Sequence, residues 1–189
     1  ELDATLDTSS QIGTSSGNTI NGDAGNNYLS GLGGADTIYG GDGNDVIYGY
    51  SSNDTLYGEA GDDTFLYNGR TSTDSSDLVI DGGEGDDWIN AGGGNDVVKG
   101  GAGSDTIWGG SGNDTIDGEA GNNWIDGGSG ADTITAGDGN DTIYSGDGKD
   151  NINAGNGNND IYSGGDDDTI TTGTGDDSIS SGDGDDNIT

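Results

Sequence analysis

Carboxylates recur at a fixed interval through most of this chain. From Gly82 to Thr189 an acidic or amide residue stands at every ninth position: Asp87, Asp96, Asp105, Asp114, Asn123, Asp132, Asp141, Asp150, Asn159, Asp168, Asp177 and Asp186. The series appears earlier at Asp36, Asp45, Asp54 and Asp63, preceded by Asn18 and Asn27. A glycine-rich stretch leads into each, as in Gly100-Gly101-Ala102-Gly103-Ser104-Asp105, and glycine leaves backbone carbonyls uncovered. Carboxylates and carbonyls are hard oxygen donors, and the chain has neither His nor Cys. That donor set suits calcium and not zinc or copper. Stacked at strand spacing, about 4.8 Å, the aspartates repel one another strongly unless a cation lies between them. Asn123 and Asn159 then mark weaker sites, and Asn18 and Asn27 weak or missing ones.

The elements that position these groups follow from what comes next in each unit. Two residues after each Asp or Asn of the Gly82–Thr189 series stands an aliphatic residue: Ile89, Val98, Ile107 and so on to Ile188. A nine-residue unit suits neither a helix nor a plain hairpin. Its second half is a three-residue strand such as Thr106-Ile107-Trp108, in which Ile107 faces inward and its neighbours outward. Two units make one coil of eighteen residues, and stacked coils bond as parallel strands around a thin aliphatic core. One branched side chain per nine residues cannot offset the backbone entropy of so much glycine. The turns therefore need the cation.

The unit Gly-Gly-x-Gly-x-Asp-x-U-x, with U aliphatic, appears unbroken at Gly40 to Ile47, Gly82 to Ile89, Gly100 to Ile107, Gly109 to Ile116 and Gly127 to Ile134. It resembles the repeats-in-toxin (RTX) nonapeptide of calcium-binding parallel β-rolls. The resemblance covers nearly all of the chain after about residue 13. It implies an all-β, right-handed parallel β-roll (a β-solenoid) of about 18 or 19 rungs, two per coil, roughly 45 Å long from strand spacing, with calcium in two turn columns. It also implies a six-oxygen site shared by rungs i and i+2. One site would use the carbonyls of Gly92 and Gly94 with Asp96, and those of Gly109 and Ser111 with Asp114. The next in that column would use Gly110, Gly112 and Asp114 with Gly127, Ser129 and Asp132.

Charge limits the partners. Three Lys and Arg face 37 Asp and Glu, for a formal charge of −34. Nucleic acid is excluded, since phosphate binding needs a basic face. An acidic chain this poor in hydrophobics is expected to be disordered until divalent cations cancel its charge. With no cysteine, metal takes the place of disulfides. Free calcium is high outside cells, so a secreted, extracellular or cell-surface location is expected. No signal peptide or membrane-spanning run is visible, and no membrane insertion is expected. Catalysis has little support: the regular carboxylates are claimed by calcium, and Asp86 and Asp176 occupy the variable position of the unit.

Residues 1–12 fall outside the repeat and read as an N-terminal arm or cap, with Leu2, Leu6 and Ile12 as a cover for the first coil or an added strand. Residues 13–189 read as a single calcium-binding roll. Its register breaks between Phe65 and Ile89, where about six extra residues make a loop insertion around 67–77. The series ends in mid-rung at Ile188, so an exposed strand edge and head-to-tail self-association, into a filament or surface layer, are expected. The alternative is a calcium-dependent folding module of a larger secreted toxin, adhesin, protease or lipase. On the outside, Trp88, Trp108, Trp124, Tyr144 and Tyr162 form an aromatic face, to which Tyr39, Tyr48 and Tyr57 are assigned as well. That face is either a glycan or cell-surface contact or cross-strand ring packing. A threonine face including Thr133, Thr135, Thr169 and Thr171 is a candidate for ice.

Overall fold

A computed structural model describes residues 10–66 and 76–189. Among them the chain forms twenty short strands and no helix. Odd-numbered strands make one ten-stranded parallel sheet: β1 (Ser10–Ile12), β3 (Tyr28–Ser30), β5 (Val46–Tyr48), β7 (Thr64–Leu66), β9 (Trp88–Gly93), β11 (Thr106–Ser111), β13 (Trp124–Ser129), β15 (Thr142–Asp147), β17 (Asp160–Tyr162) and β19 (Ser178–Ser180). Even-numbered strands make the other: β2 (Thr19–Asn21), β4 (Thr37–Asp42), β6 (Thr55–Ala60), β8 (Val79–Glu84), β10 (Val97–Ala102), β12 (Thr115–Ala120), β14 (Thr133–Thr135), β16 (Asn151–Asn153), β18 (Thr169–Thr171) and β20 (Asn187–Ile188). The chain is thus a parallel β-solenoid, each coil passing once through each sheet. Among the described residues no helix is long and apolar enough to cross a membrane.

Register turns the nine-residue period into columns. Ile107 lies between Ile89 and Ile125, and Val98 between Ile80 and Ile116. The aliphatic residues from both sheets meet in one buried cluster from Ile20 to Ile170, with Ile179 partly buried against it. Ile125, between Ile107 and Ile143, has no exposed surface. Ile125→Ala is expected to cost about 2–5 kcal/mol, read by urea unfolding in saturating calcium. Val97→Ala, on the outer face of β10, should cost about 0.5 kcal/mol or less.

Both sheets run through the change of register. Phe65 pairs with Ile89 and Leu56 with Ile80, each 24 positions on, against 18 elsewhere. The six extra residues fall between Phe65 and Ile80; residues 67–75 of the expected insertion lie outside the described residues. Leu2 and Leu6 also lie outside them. At the start of the described chain, Ser10–Ile12 belongs to the odd sheet, paired with β3. Gln11, not Ile12, stands in register with buried Leu29, and Ile12 is 62% exposed. The nine-residue phase falls on Gln11, so Ile12 points away from the core.

The aromatic face needs a correction. Tyr48 lies on the odd sheet with Trp88, Trp108, Trp124, Tyr144 and Tyr162, but Tyr39 and Tyr57 lie on the even sheet. Successive rungs alternate sides, and Tyr39 and Tyr57 follow even-phase rungs. They stack on each other, ring centroids 4.9 Å apart.

Candidate metal centre

Most turns carry glycines at positions of positive φ, although Glu59, Glu119, Ser52 and Asp166 take equivalent places in others. Gly112 holds φ 125°, and a methyl group there would run into the Gly94 carbonyl oxygen of the preceding coil. Turns therefore stack backbone on backbone: Gly110 lies between Gly92 and Gly128, and Ser111 between Gly93 and Ser129. The Ser111 carbonyl accepts from Gly94 N at 2.9 Å, and the Ser129 carbonyl from Gly112 N at 2.8 Å. The carbonyl-bearing residues named for the two sites, Gly92, Gly94, Gly109, Ser111, Gly110, Gly112, Gly127 and Ser129, are thereby brought into one stack with Asp96, Asp114 and Asp132.

The aspartates form two interior columns. One, ahead of the even strands, carries Asp36, Asp54, Asp96, Asp114, Asp132, Asp150, Asp168 and Asp186. The other, ahead of the odd strands, carries Asp45, Asp63, Asp87, Asp105, Asp141 and Asp177, with Asn27, Asn123 and Asn159. Within a column the carboxylates do the same thing coil after coil. Asp114 Oδ1 accepts the backbone N–H of Asp96 at 2.8 Å, and Asp132 Oδ1 that of Asp114 at 2.8 Å. Asp105 Oδ1 accepts from Asp87 N at 2.9 Å in the other column. These bonds tie each coil to the next but use only one oxygen.

The second oxygen is buried and has no hydrogen-bond partner. This holds for Oδ2 of Asp36, Asp45, Asp63, Asp87, Asp96, Asp105, Asp114, Asp132, Asp141, Asp150 and Asp168. Asp177 and Asp186 are only half-buried. A buried carboxylate oxygen left unpaired is costly. Its surroundings show what it awaits. A methyl group at Gly109 would lie 2.6 Å from Asp114 Oδ2 and 2.7 Å from the Gly127 carbonyl oxygen. One at Gly127 would lie 2.7 Å from Asp132 Oδ2 and 2.7 Å from the Ser145 carbonyl oxygen. An anionic oxygen and a carbonyl of the following coil thus converge on a cradle that glycine leaves open. Among the described residues no three acidic side chains gather as a metal cluster. The carbonyls must therefore complete the shell, as calcium's preference for mixed carboxylate and carbonyl oxygens allows. The donor set fits that ion.

Burial also changes the acidity of these groups. Loss of hydration pushes Asp63, Asp87, Asp96 and Asp132 up to about 7, and Asp105 and Asp141 up to about 6. Donated backbone N–H bonds oppose the shift, and neighbouring aspartates add to it for Asp63 and Asp87. Asp36, Asp45, Asp114 and Asp150 are raised for the same primary reason.

Three features escape the simple period. Leu78 occupies the ligand position ahead of β8 and interrupts one column, although its N–H still donates to Asp96 Oδ1 at 2.7 Å. Counting two back from Ile80 would have found it. Asn123 satisfies its own cradle: its Nδ2 donates to the Gly118 and Ala136 carbonyls at 3.2 and 3.3 Å. A side-chain amide there does internally what a cation does beside a carboxylate. Finally, the variable residue before each Asp builds an outer ladder that runs the opposite way. Asn113 N donates to Asn95 Oδ1 at 2.9 Å, and Ala131 N to Asn113 Oδ1 at 2.8 Å. The recurring Asn-Asp pairs were its signal in the sequence.

Comparison with known families agrees with this geometry. The model of the RTX calcium-binding nonapeptide repeat matches residues 12–47, 30–65, 79–107, 92–125, 99–134, 126–161 and 162–189. No curated protein matches the chain. Together the matched segments span all but the first residues and the stretch between 65 and 79, and the chain belongs to the RTX calcium-binding nonapeptide repeat family.

Proposed function

We propose that this calcium-binding β-roll is a non-enzymatic structural module that works outside the cell, folds when calcium arrives, and then associates end to end. The observation that carries the calcium part is the double file of buried Asp Oδ2 atoms without hydrogen-bond partners, those of Asp45, Asp63, Asp87, Asp105, Asp114 and Asp132 each sharing a glycine-lined cradle with a carbonyl of the following coil. In this reading Asp96 and Asp114 hold one ion with the carbonyls of Gly92, Gly94, Gly109 and Ser111. Asp114 and Asp132 hold the next with those of Gly110, Gly112, Gly127 and Ser129. Bound calcium supplies the positive charge that the stacked carboxylates lack. The protein's own contribution is to fix Oδ1 on the backbone of the adjacent coil, so that Oδ2 is aimed before the ion binds.

An extracellular address is supported by the calcium requirement, the absence of cysteine and the prevalence of these repeats in secreted proteins. The assembly part rests on strand edges. Among the described residues each sheet is an open parallel stack, whose outermost strands pair on one side only. Unpaired edges of this kind recruit further strands, and a head-to-tail contact that does not close gives filaments. Sedimentation of the full chain in millimolar calcium, at rising concentration, tests it. Growing linear assemblies are expected. A lasting folded monomer would remove the assembly part and favour a folding module within a larger secreted protein.

Ring packing accounts for the aromatic face better than sugar binding does. Trp88, Trp108, Trp124, Tyr144 and Tyr162 contact one another in sequence, centroids 4.8–5.7 Å apart, and the Tyr144 and Tyr162 planes are within 8° of parallel. The rings follow the spacing of the strands beneath and lean on one another, planes tilted by 44–53° from Trp88 to Tyr144 and stacked between Tyr144 and Tyr162. A flat platform for a sugar ring needs ring faces turned outward.

A further inference from the structure

The first residue of each nonapeptide lies beside the cradle of the aspartate five positions later. At Gly109 and Gly127 the cradle is open. Farther along the same column the position is taken by Ser145 and Ser163, both with no exposed surface. Ser145 Oγ donates to the Ser163 carbonyl at 2.8 Å, and Ser163 Oγ to the Ser181 carbonyl at 2.8 Å. Those carbonyls are the coil-shifted equivalents of the Gly127 carbonyl facing Asp114 and the Ser145 carbonyl facing Asp132. The serine side chain thus fills the space that glycine leaves open, and its hydroxyl engages the oxygen that an ion would need.

We propose that Ser145 and Ser163 close their cradles to calcium, so that beyond the Gly127 cradle this column is stapled by serine hydroxyls instead of ions. The proposal rests on the calcium reading above and names which of its sites are filled. Calcium needs six to eight oxygens at about 2.3–2.6 Å. At Ser145 an ion would have to displace a buried hydroxyl and its hydrogen bond to the Ser163 carbonyl. Counting aspartates therefore overstates the calcium content of the chain.

The test is bound calcium per chain, by elemental analysis after equilibrium dialysis of the full-length protein. Asp132 Oδ2 faces the open cradle at Gly127, whereas Asp168 follows the closed one at Ser163. Asp→Asn keeps the Oδ1 acceptor and removes the charge. Asp132→Asn is expected to lower bound calcium by about one to two ions, and Asp168→Asn to leave it unchanged. Ser145→Gly with Ser163→Gly is expected to raise it by about two ions. The glycine variant reads a gain, so a loss of folding cannot imitate the expected result. Equal losses in the two Asp variants, or no gain in a glycine variant that is folded by circular dichroism, would overturn the serine proposal while leaving calcium binding intact. A wild-type chain that bound no calcium would overturn both.

Discussion

In excess chelator at neutral pH the chain is expected to lose its β-structure, and millimolar calcium should restore it. The formal charge of −34 and the small aliphatic core make the metal-free coil unfavourable, and the buried Oδ2 atoms concentrate that cost inside the turns. Acid should partly replace the metal. Asp63, Asp87, Asp96 and Asp132 titrate near 7 in the metal-free roll, against an ordinary value of 3.8. A carboxyl whose folded value is raised holds its proton more tightly when folded. The metal-free roll is therefore least stable above about pH 7, gains stability as pH falls through that value, and gains no more from these groups below about 3.8. Far-ultraviolet circular dichroism in chelator should show β-structure growing as pH is lowered from about 8 to 5, a range above the isoelectric point of about 4.1. With calcium present, protons compete for the same oxygens, so the calcium midpoint should move to higher concentration over that range. A chelated chain equally disordered at both ends of it would contradict the burial of these carboxylates.

The second large effect belongs to a single glycine. Gly112→Ala is expected to cost about 3 kcal/mol or more, the sum of a strained positive φ and displacement of the stacked Gly94 backbone. The obstacle is a carbonyl oxygen, not the end of a flexible side chain, so it cannot swing aside. Gly165→Ala provides the control: nothing lies within 4 Å of its missing side chain, and the change should be close to neutral. Thermal unfolding of the two variants in saturating calcium compares them directly. Equal midpoints would mean that the coils are not stacked at the Gly94–Gly112 contact.

Much of this was legible in the amino-acid sequence, for a physical reason. A solenoid is built by translation along one axis, so a constant period decides which residues share a column without any knowledge of the path between them. The nine-residue spacing by itself placed Ile107 in line with Ile89 and Ile125, separated the aspartates into two files, and put the glycines in the turns. It also holds, once rungs are counted, the information that Tyr39 and Tyr57 face away from Trp108, and that Gln11 and not Ile12 faces inward.

What the period does not contain is the cross-section of the turn. Which carboxylate oxygen meets an N–H and which is left free depends on side-chain torsions and on the close approach of successive backbones, and only the folded coil sets these. The tertiary structure decided that Oδ1 of Asp114 is engaged by Asp96 while Oδ2 faces a carbonyl. It decided that Asn123 satisfies its cradle with its own amide, and that the hydroxyls of Ser145 and Ser163 fill theirs. A repeat aligns equivalent positions, but equivalence of position is not equivalence of atoms. A difference as small as glycine to serine separates an open cradle from a closed one.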